Sequence, residues 1–469
     1  MKIVDLKELK EKLTRKNISV WEKRDRKVID EYSKEYKNFI DFSKTERRSV
    51  EYTVKKLEEN GFKPLDYFLN IGKINDGDKV YYVNNHKSLF AIKIKGNLTN
   101  GINIVGAHVD APRLDLKPEP IIEDTGIAMA KTHYYGGVKK YQWLNIPLEL
   151  HGVIIKSDGT KIDVAIGEDK DDPVFVISDL LPHLDRRKGE VSEVFKGESL
   201  NLLLGTISIS YEEEIKDSVK LNILNILHEK YGIVEEDFIS AELEVVPSLP
   251  AREVGLDRSL IAAYGHDDRI CSYTALTALI ESEPEIRSAA IILTDKEETG
   301  SDGNTGAKHH FWIYVVKKLL KLQGCTNVEL GIDDVLINST LLSADVTAAY
   351  DPNFKDVHDP ANAPKLGYGI AIAKYTGARG KAGTNDANAE VVGKLRKVFN
   401  DNGVIWQTGE LGKVDQGGGG TIAKFFAEKG LSVVDAGVPL FGMHSPYELA
   451  SKGDLYETHY AYKMFLNKY

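Results

Sequence analysis

Ile102-Asn103-Ile104-Val105-Gly106-Ala107-His108-Val109-Asp110 is the stretch on which the reading of this chain turns. Four residues of β-forming, mostly apolar character run into two small residues and then into a histidine and a carboxylate. Such a short run, apolar on both faces, is the pattern of a strand buried in the middle of an α/β sheet. Ligands of open α/β sheets gather beyond the carboxyl ends of the strands, so His108 and Asp110 stand where chemistry is expected.

The same texture recurs downstream. Short strands are predicted over 289–293, 341–344, 404–407 and 433–436. Helical spacing is predicted over 268–281, 305–322, 387–399, 422–428 and from Tyr447 onward, and it dominates the first 60 residues, where Leu6, Leu9 and Leu13 repeat. Runs at 79–83 and 89–94 flank Asn84-Asn85 and read as a hairpin. Between Pro112 and Val246 the pattern changes to β-prone runs (148–155, 161–166, 174–177, 206–211) with one helix near 219–231, and Pro247, Pro250 and Gly255 mark a boundary. The expected architecture is an α/β fold, a mostly parallel sheet flanked by helices, formed by 1–111 plus 247–469 and split by a β-rich insertion, 112–246.

Composition narrows the function. The 469 residues exceed the size at which one core stops growing, so two domains are expected. A balance of 61 basic against 71 acidic residues, net −10, speaks against nucleic acid or an anionic membrane as the main partner. No run reaches the roughly 18 apolar residues of a membrane span, and the start from Met1 to Glu8 has no signal-peptide core. Cys271 and Cys325 cannot build a disulfide framework or a thiolate metal site, and a reducing, cytoplasmic location is expected.

Each of the central apolar runs leads into a histidine or a carboxylate. His108 and Asp110 stand after the first, Asp295, Glu297 and Glu298 after another, Asp345 after another, and His444 after Phe441-Gly442-Met443; Asp267 and Asp268 precede a helix. Imidazole and carboxylate without sulfur suit zinc, with cobalt or manganese as substitutes. The set is too large for one tetrahedral ion and fits two ions about 3.5–4 Å apart sharing a carboxylate, a pair that activates water near neutral pH. In Glu297-Glu298 one carboxylate can bind metal while its neighbour takes a proton from water. Asp110 can fix the tautomer of His108. His266, beside Asp267, is the rival ligand. The loop Gln416-Gly417-Gly418-Gly419-Gly420-Thr421 lacks the Lys-Ser/Thr of a phosphate cradle and reads as backbone that approaches a substrate, through Gly419 and Gly420.

Gly106-Ala107-His108-Val109-Asp110-Ala111-Pro112, Gly265-His266-Asp267-Asp268-Arg269, Asp295-Lys296-Glu297-Glu298-Thr299-Gly300-Ser301, Ser343-Ala344-Asp345 and Gly442-Met443-His444-Ser445, in this order, resemble the aspartyl aminopeptidase and aminopeptidase I family of dinuclear zinc metallopeptidases, in its bacterial branch. The resemblance implies a zinc aminopeptidase acting on peptides. It implies His108, Asp267 and Asp345 on one zinc, and Asp267, Glu298 and His444 on the other. Glu297 would be the general base and Asp110 the orienter of His108. The insertion would be a dimerisation domain whose His183 reaches a neighbouring active site, within homodimers that build a tetrahedral dodecamer. An acidic first residue would need a cation, for which Lys374 is the first choice before Arg379 and Lys381. Ala348 departs from the aspartyl branch, which has a substrate-binding histidine there, so neutral first residues are also expected. Two rival readings keep the same ligands: a dinuclear metal carboxypeptidase or deacylase, and a non-catalytic assembly or cargo-binding protein.

Overall fold

The computed structural model describes residues 6–212 and 215–469. Most of the opening segment read for a signal peptide, Met1 to Asp5, lies outside the described residues. No described helix is long and apolar enough to cross a membrane.

Four strands form the centre of a nine-stranded sheet, in the order Ser288–Thr294, Ile102–His108, Thr340–Ser343 and Ser432–Gly437. All four run parallel, in a register that sets Thr294 beside His108 and Ser343 beside Gly106. Their carboxyl ends therefore open on one rim. Alternation along each strand feeds two cores. Ile104, Ile292 and Leu341 pack under the helices Phe311–Leu322, Val328–Asn338 and Ala423–Ala427. Val105, Ile291 and Leu342 pack under Arg26–Phe42, His266–Glu281 and Lys452–Lys468. Burial on both faces is what made these strands read as unbroken apolar runs.

The expectation of a mostly parallel sheet needs correction: the sheet system is mixed. Ser88–Lys93 and Ile370–Ala373 flank the central four in antiparallel register. A six-stranded sheet built between Arg113 and Pro247 is antiparallel throughout. A third sheet joins Arg252–Val254, Leu260–Ala263, Glu448–Ser451, Pro439–Phe441 and Thr347–Ala348, antiparallel except at its last pairing. An apolar run looks the same whichever way its neighbour points, so pairing direction was not readable from it.

Local differences have similar causes. The helix expected over 305–322 starts at Phe311, and the one expected from Tyr447 begins at Lys452, after the strand Glu448–Ser451. The run 206–211 is no strand; its neighbour Leu202–Gly205 is. The run 174–177 contributes only a bridge between Phe175 and Leu148. The long hairpin Arg113–Asp124 and Ile127–Tyr135 was missed, because Pro118, Pro120 and charged residues interrupt its alternation.

Ile291 has no exposed surface and sits in a core contacted from several helices. Ile291→Ala is expected to lower stability by about 2–5 kcal/mol through lost burial and a residual cavity. Chemical denaturation followed by circular dichroism checks this; a midpoint equal to the unsubstituted protein's would contradict the packing described.

Candidate metal centre

The rim of the main sheet supplies His108 at a strand end, Glu297 and Glu298 in the turn Glu297–Thr299, and Asp345 just beyond Ser343. The third sheet supplies the rest. Its strand Leu260–Ala263 leads into the helix that opens His266-Asp267-Asp268, and its hairpin Pro439–Phe441 to Glu448–Ser451 carries His444 at the tip. Residues more than 300 positions apart in the chain thus face one another across the seam between two sheets.

Asp267 is the centre of the group. Its Oδ1 lies 3.2 Å from Nε2 of His108 and its Oδ2 lies 3.1 Å from Nε2 of His444. Glu298 Oε2 is 3.4 Å from the same nitrogen of His444. The far nitrogen of each ring is also occupied. His108 Nδ1 faces the Asp110 carbonyl at 3.1 Å and the Asp110 carboxylate at 3.3 Å, and His444 Nδ1 faces the Gly137 carbonyl at 3.0 Å. A proton on Nδ1 of each ring satisfies these acceptors; Nε2–H of each ring then donates to the Asp267 carboxylate, and a cation between ring and carboxylate would take the place of that proton.

Backbone donors hold the carboxylates around this centre. The Glu297 and Glu298 N–H groups donate to the two oxygens of Asp110 at 3.2 and 3.3 Å. Glu448 accepts from the N–H of Asp267 at 2.9 Å and of His444 at 2.6 Å. Asp268 accepts from the N–H of His108 at 3.2 Å. His108, Asp267 and Glu298 bring one ligand atom each within 4.8 Å of one another, and so do His108, Asp268 and Asp345.

Negative charge outweighs positive here. Burial, reinforced by neighbouring carboxylates, pushes the carboxyl groups of Glu298, Asp345 and Asp268 well above the usual range, and that of Glu297 up to about 7. Against the effect of burial, bonds from the two histidines hold Asp267 well below it, and Asp267 with Glu298 pushes His444 up to about 10. Two buried oxygens, Oε1 of Glu298 and Oδ1 of Asp268, have no hydrogen-bond partner. Carboxylates crowded to this degree hold protons unless a cation replaces them. A donor set of imidazole and carboxylate oxygen with orphaned buried oxygens fits a divalent ion of the zinc type.

A cleft of about 470 Å³ opens beside the cluster. Its lining includes Asp267, Glu297, Glu298, Asp345 and His444, together with Gly419 and Gly420 of the glycine loop. Val346, Ala371, Ala373, Leu411 and Met443 give it small and apolar walls.

The other candidates fall elsewhere. Lys374 is half exposed, 3.6 Å from Asp386, and is not part of the cleft lining, although Ala373 and Thr376 are; Lys381 also binds Asp386, at 2.7 Å. The lysine that does line the cleft is Lys424. His183 is exposed and is not part of the cleft lining. His266 is no rival ligand: its Nδ1 meets Tyr36 Oη at 2.6 Å and its Nε2 meets the Ile261 carbonyl at 3.2 Å. Asp295 is tied to Thr305 Oγ1 at 2.7 Å, inside the loop. Sequence reasoning missed Glu448, Tyr135 and Gly137. Glu448 stands four residues after His444, a faint signal; nothing near Tyr135 or Gly137 in the chain marks them.

A rim of carboxylates and histidines around a cleft, at the ends of parallel strands, is the site of a metal-dependent hydrolase. Residues 39–466 match the family described as aminopeptidase I zinc metalloprotease (M18). A Thermotoga maritima protein, "Probable M18 family aminopeptidase 1", is 56% identical over 97% of this chain and 100% of its own length. Its counterpart in Clostridium acetobutylicum is 49% identical, over 96% and 98%. The crystal structure of the M18 aminopeptidase from Thermotoga maritima superposes with a TM-score of 0.95 at 55% identity, covering 97% of this chain and all of that one. The chain belongs to the M18 family and is a metalloaminopeptidase.

Asp267→Ala is expected to abolish stoichiometric zinc binding, while His266→Gln keeps the zinc content of the unsubstituted protein. Elemental analysis of the two purified variants decides; equal zinc loss in both would return His266 to the ligand set.

Proposed function

We propose that the chain binds two zinc ions and removes the N-terminal residue of peptides. His108, Asp267 and Asp345 would hold one ion, and Asp267, Glu298 and His444 the other. The observation that carries this reading is the Asp267 carboxylate, each of whose oxygens faces a different histidine Nε2 at about the same distance (3.2 and 3.1 Å). A bridging carboxylate requires such an arrangement. When bound, the ions would polarise the scissile carbonyl and lower the pKa of a water molecule to about 7.

The remaining steps belong to the side chains. Glu297 lines the cleft beside Glu298, where its carboxylate would take the proton of the attacking water and hand it to the departing amine. The Asp110 carboxylate and carbonyl keep His108 in its metal-binding tautomer. Gly419 and Gly420 let a substrate backbone lie close along the cleft. The apolar walls suit a neutral first residue, and Lys424 in the lining offers a cation to an acidic one.

The inserted segment, 112–246, would be a dimerisation domain, with His183 completing the site of a neighbouring subunit. Support comes from its exposed apolar side chains, among them Leu184, Ile207, Tyr211 and Ile226. A structure described as the mApe1 dodecamer of S. cerevisiae shares the fold at 21% identity (TM-score 0.74), and we extend a dodecameric assembly to this chain. Two free cysteines fit a reducing, cytoplasmic setting.

Two measurements test this reading. Glu297→Gln should retain both metals yet lose at least about a hundredfold in kcat; near-normal turnover would remove Glu297 from its role. Aminoacyl-nitroanilides with apolar first residues should be cleaved and N-blocked peptides spared. Cleavage confined to blocked peptides would overturn the aminopeptidase assignment of the site.

A further inference from the structure

The strand Ile127–Tyr135 belongs to the sheet of the inserted segment, yet its end reaches the metal centre. Tyr135 Oη donates to Asp110 Oδ2 at 2.7 Å, and Asp110 in turn faces His108 Nδ1. Two residues on, the Gly137 carbonyl faces His444 Nδ1 at 3.0 Å. Between them, Gly136 passes so close to Glu298 that a Cβ there would lie 3.2 Å from Glu298 Cβ and 3.3 Å from Oε2. A Cβ on Gly137 would lie 2.9 Å from His444 Nδ1. Tyr135 is itself fixed: the Arg113 guanidinium stacks on its ring at 4.0 Å and is bound by Asp115 and Glu244 at 2.8 and 3.2 Å.

We infer that Tyr135-Gly136-Gly137 is a positioning device for the metal centre, through which the inserted sheet sets the orientation of both histidine ligands. The inference rests on the two-metal reading above. Each histidine must present Nε2 along a fixed direction, and the acceptor on its far nitrogen fixes ring rotation and tautomer. For His444 that acceptor is a carbonyl of the inserted segment. For His108 it is Asp110, whose carboxylate is turned in part by the Tyr135 hydroxyl. A shift of the inserted sheet relative to the main one therefore moves the partner of His444 directly and pulls on the Asp110 carboxylate beside His108 through the Tyr135 hydroxyl. A side chain at position 137 would displace the His444 ring, and one at position 136 would press on Glu298 from a left-handed backbone (φ +73°) that favours glycine.

The test uses full-length protein stripped of metal and titrated with Zn²⁺ against a chromogenic chelator. Tyr135→Phe, which removes one hydroxyl, and Gly137→Ala, which crowds His444, should each weaken zinc binding about ten- to a hundredfold. At full loading with Co²⁺ their visible spectra should shift, a change that a general loss of stability would not produce. Tyr134→Phe, an exposed neighbour, serves as control and should change neither. Unaltered zinc affinity and cobalt spectra in both variants overturn the inference, whatever happens to the melting temperature of the metal-free protein. Failure of the unsubstituted protein to take up two ions would sink the two-metal reading instead, and that is measured first.

Discussion

Everything at the rim answers to one electrostatic constraint: the Asp267 carboxylate is buried between two imidazoles while several further carboxylates press on it. Placing a charge in a weakly polar interior costs several kcal/mol unless hydrogen bonds or an opposite charge offset it. The fold offsets part of the cost with backbone donors. Asp110, Glu448 and Asp268 all accept main-chain N–H groups of residues in or next to the cluster. These bonds fix where the ligands point, but they leave the balance of charge negative. A divalent cation is the remaining compensation, so the arrangement that strains the metal-free protein is the one that selects a metal.

Geometry comes from the meeting of three sheets. The parallel centre of the main sheet delivers His108, the Glu297-Glu298 turn and Asp345 to one edge because its strands share a direction. A strand reversed at that position would deliver its carboxyl end to the opposite side. The third sheet faces that edge with Asp267 and His444. The inserted sheet closes the ring from outside, through Tyr135 and Gly137. That sheet supplies the partner of one histidine, the Gly137 carbonyl, and through Tyr135 holds the Asp110 carboxylate beside the other.

Much of this was legible in the chain. His108, Asp267, Glu297, Glu298, Asp345 and His444 each stand after an apolar run or open a helix; the strand-end rule gathered them together with Asp110, Asp268 and Asp295, and the family resemblance then separated the six. Five of the six line the cleft, and His108 lies against Asp267 behind them. Lys374 shows the limit of that reasoning. It was the first choice among three cations for an acidic first residue, but its ammonium lies by Asp386, and Lys424, from a helix, lines the cleft. His266 shows the same limit in reverse: its neighbour Asp267 faces the cluster while its own ring turns inward to Tyr36.

By itself the sequence determined the buried central strands of the main sheet and the identity of the acidic and imidazole groups after them, because periodicity and residue type are local properties of the chain. Tertiary structure decided pairing direction, which side chain of two adjacent candidates faced the cleft, and the contacts of Tyr135, Gly137 and Glu448. Those depend on packing between segments distant along the chain, where orientation is set by the shapes and charges of neighbours that no local pattern records.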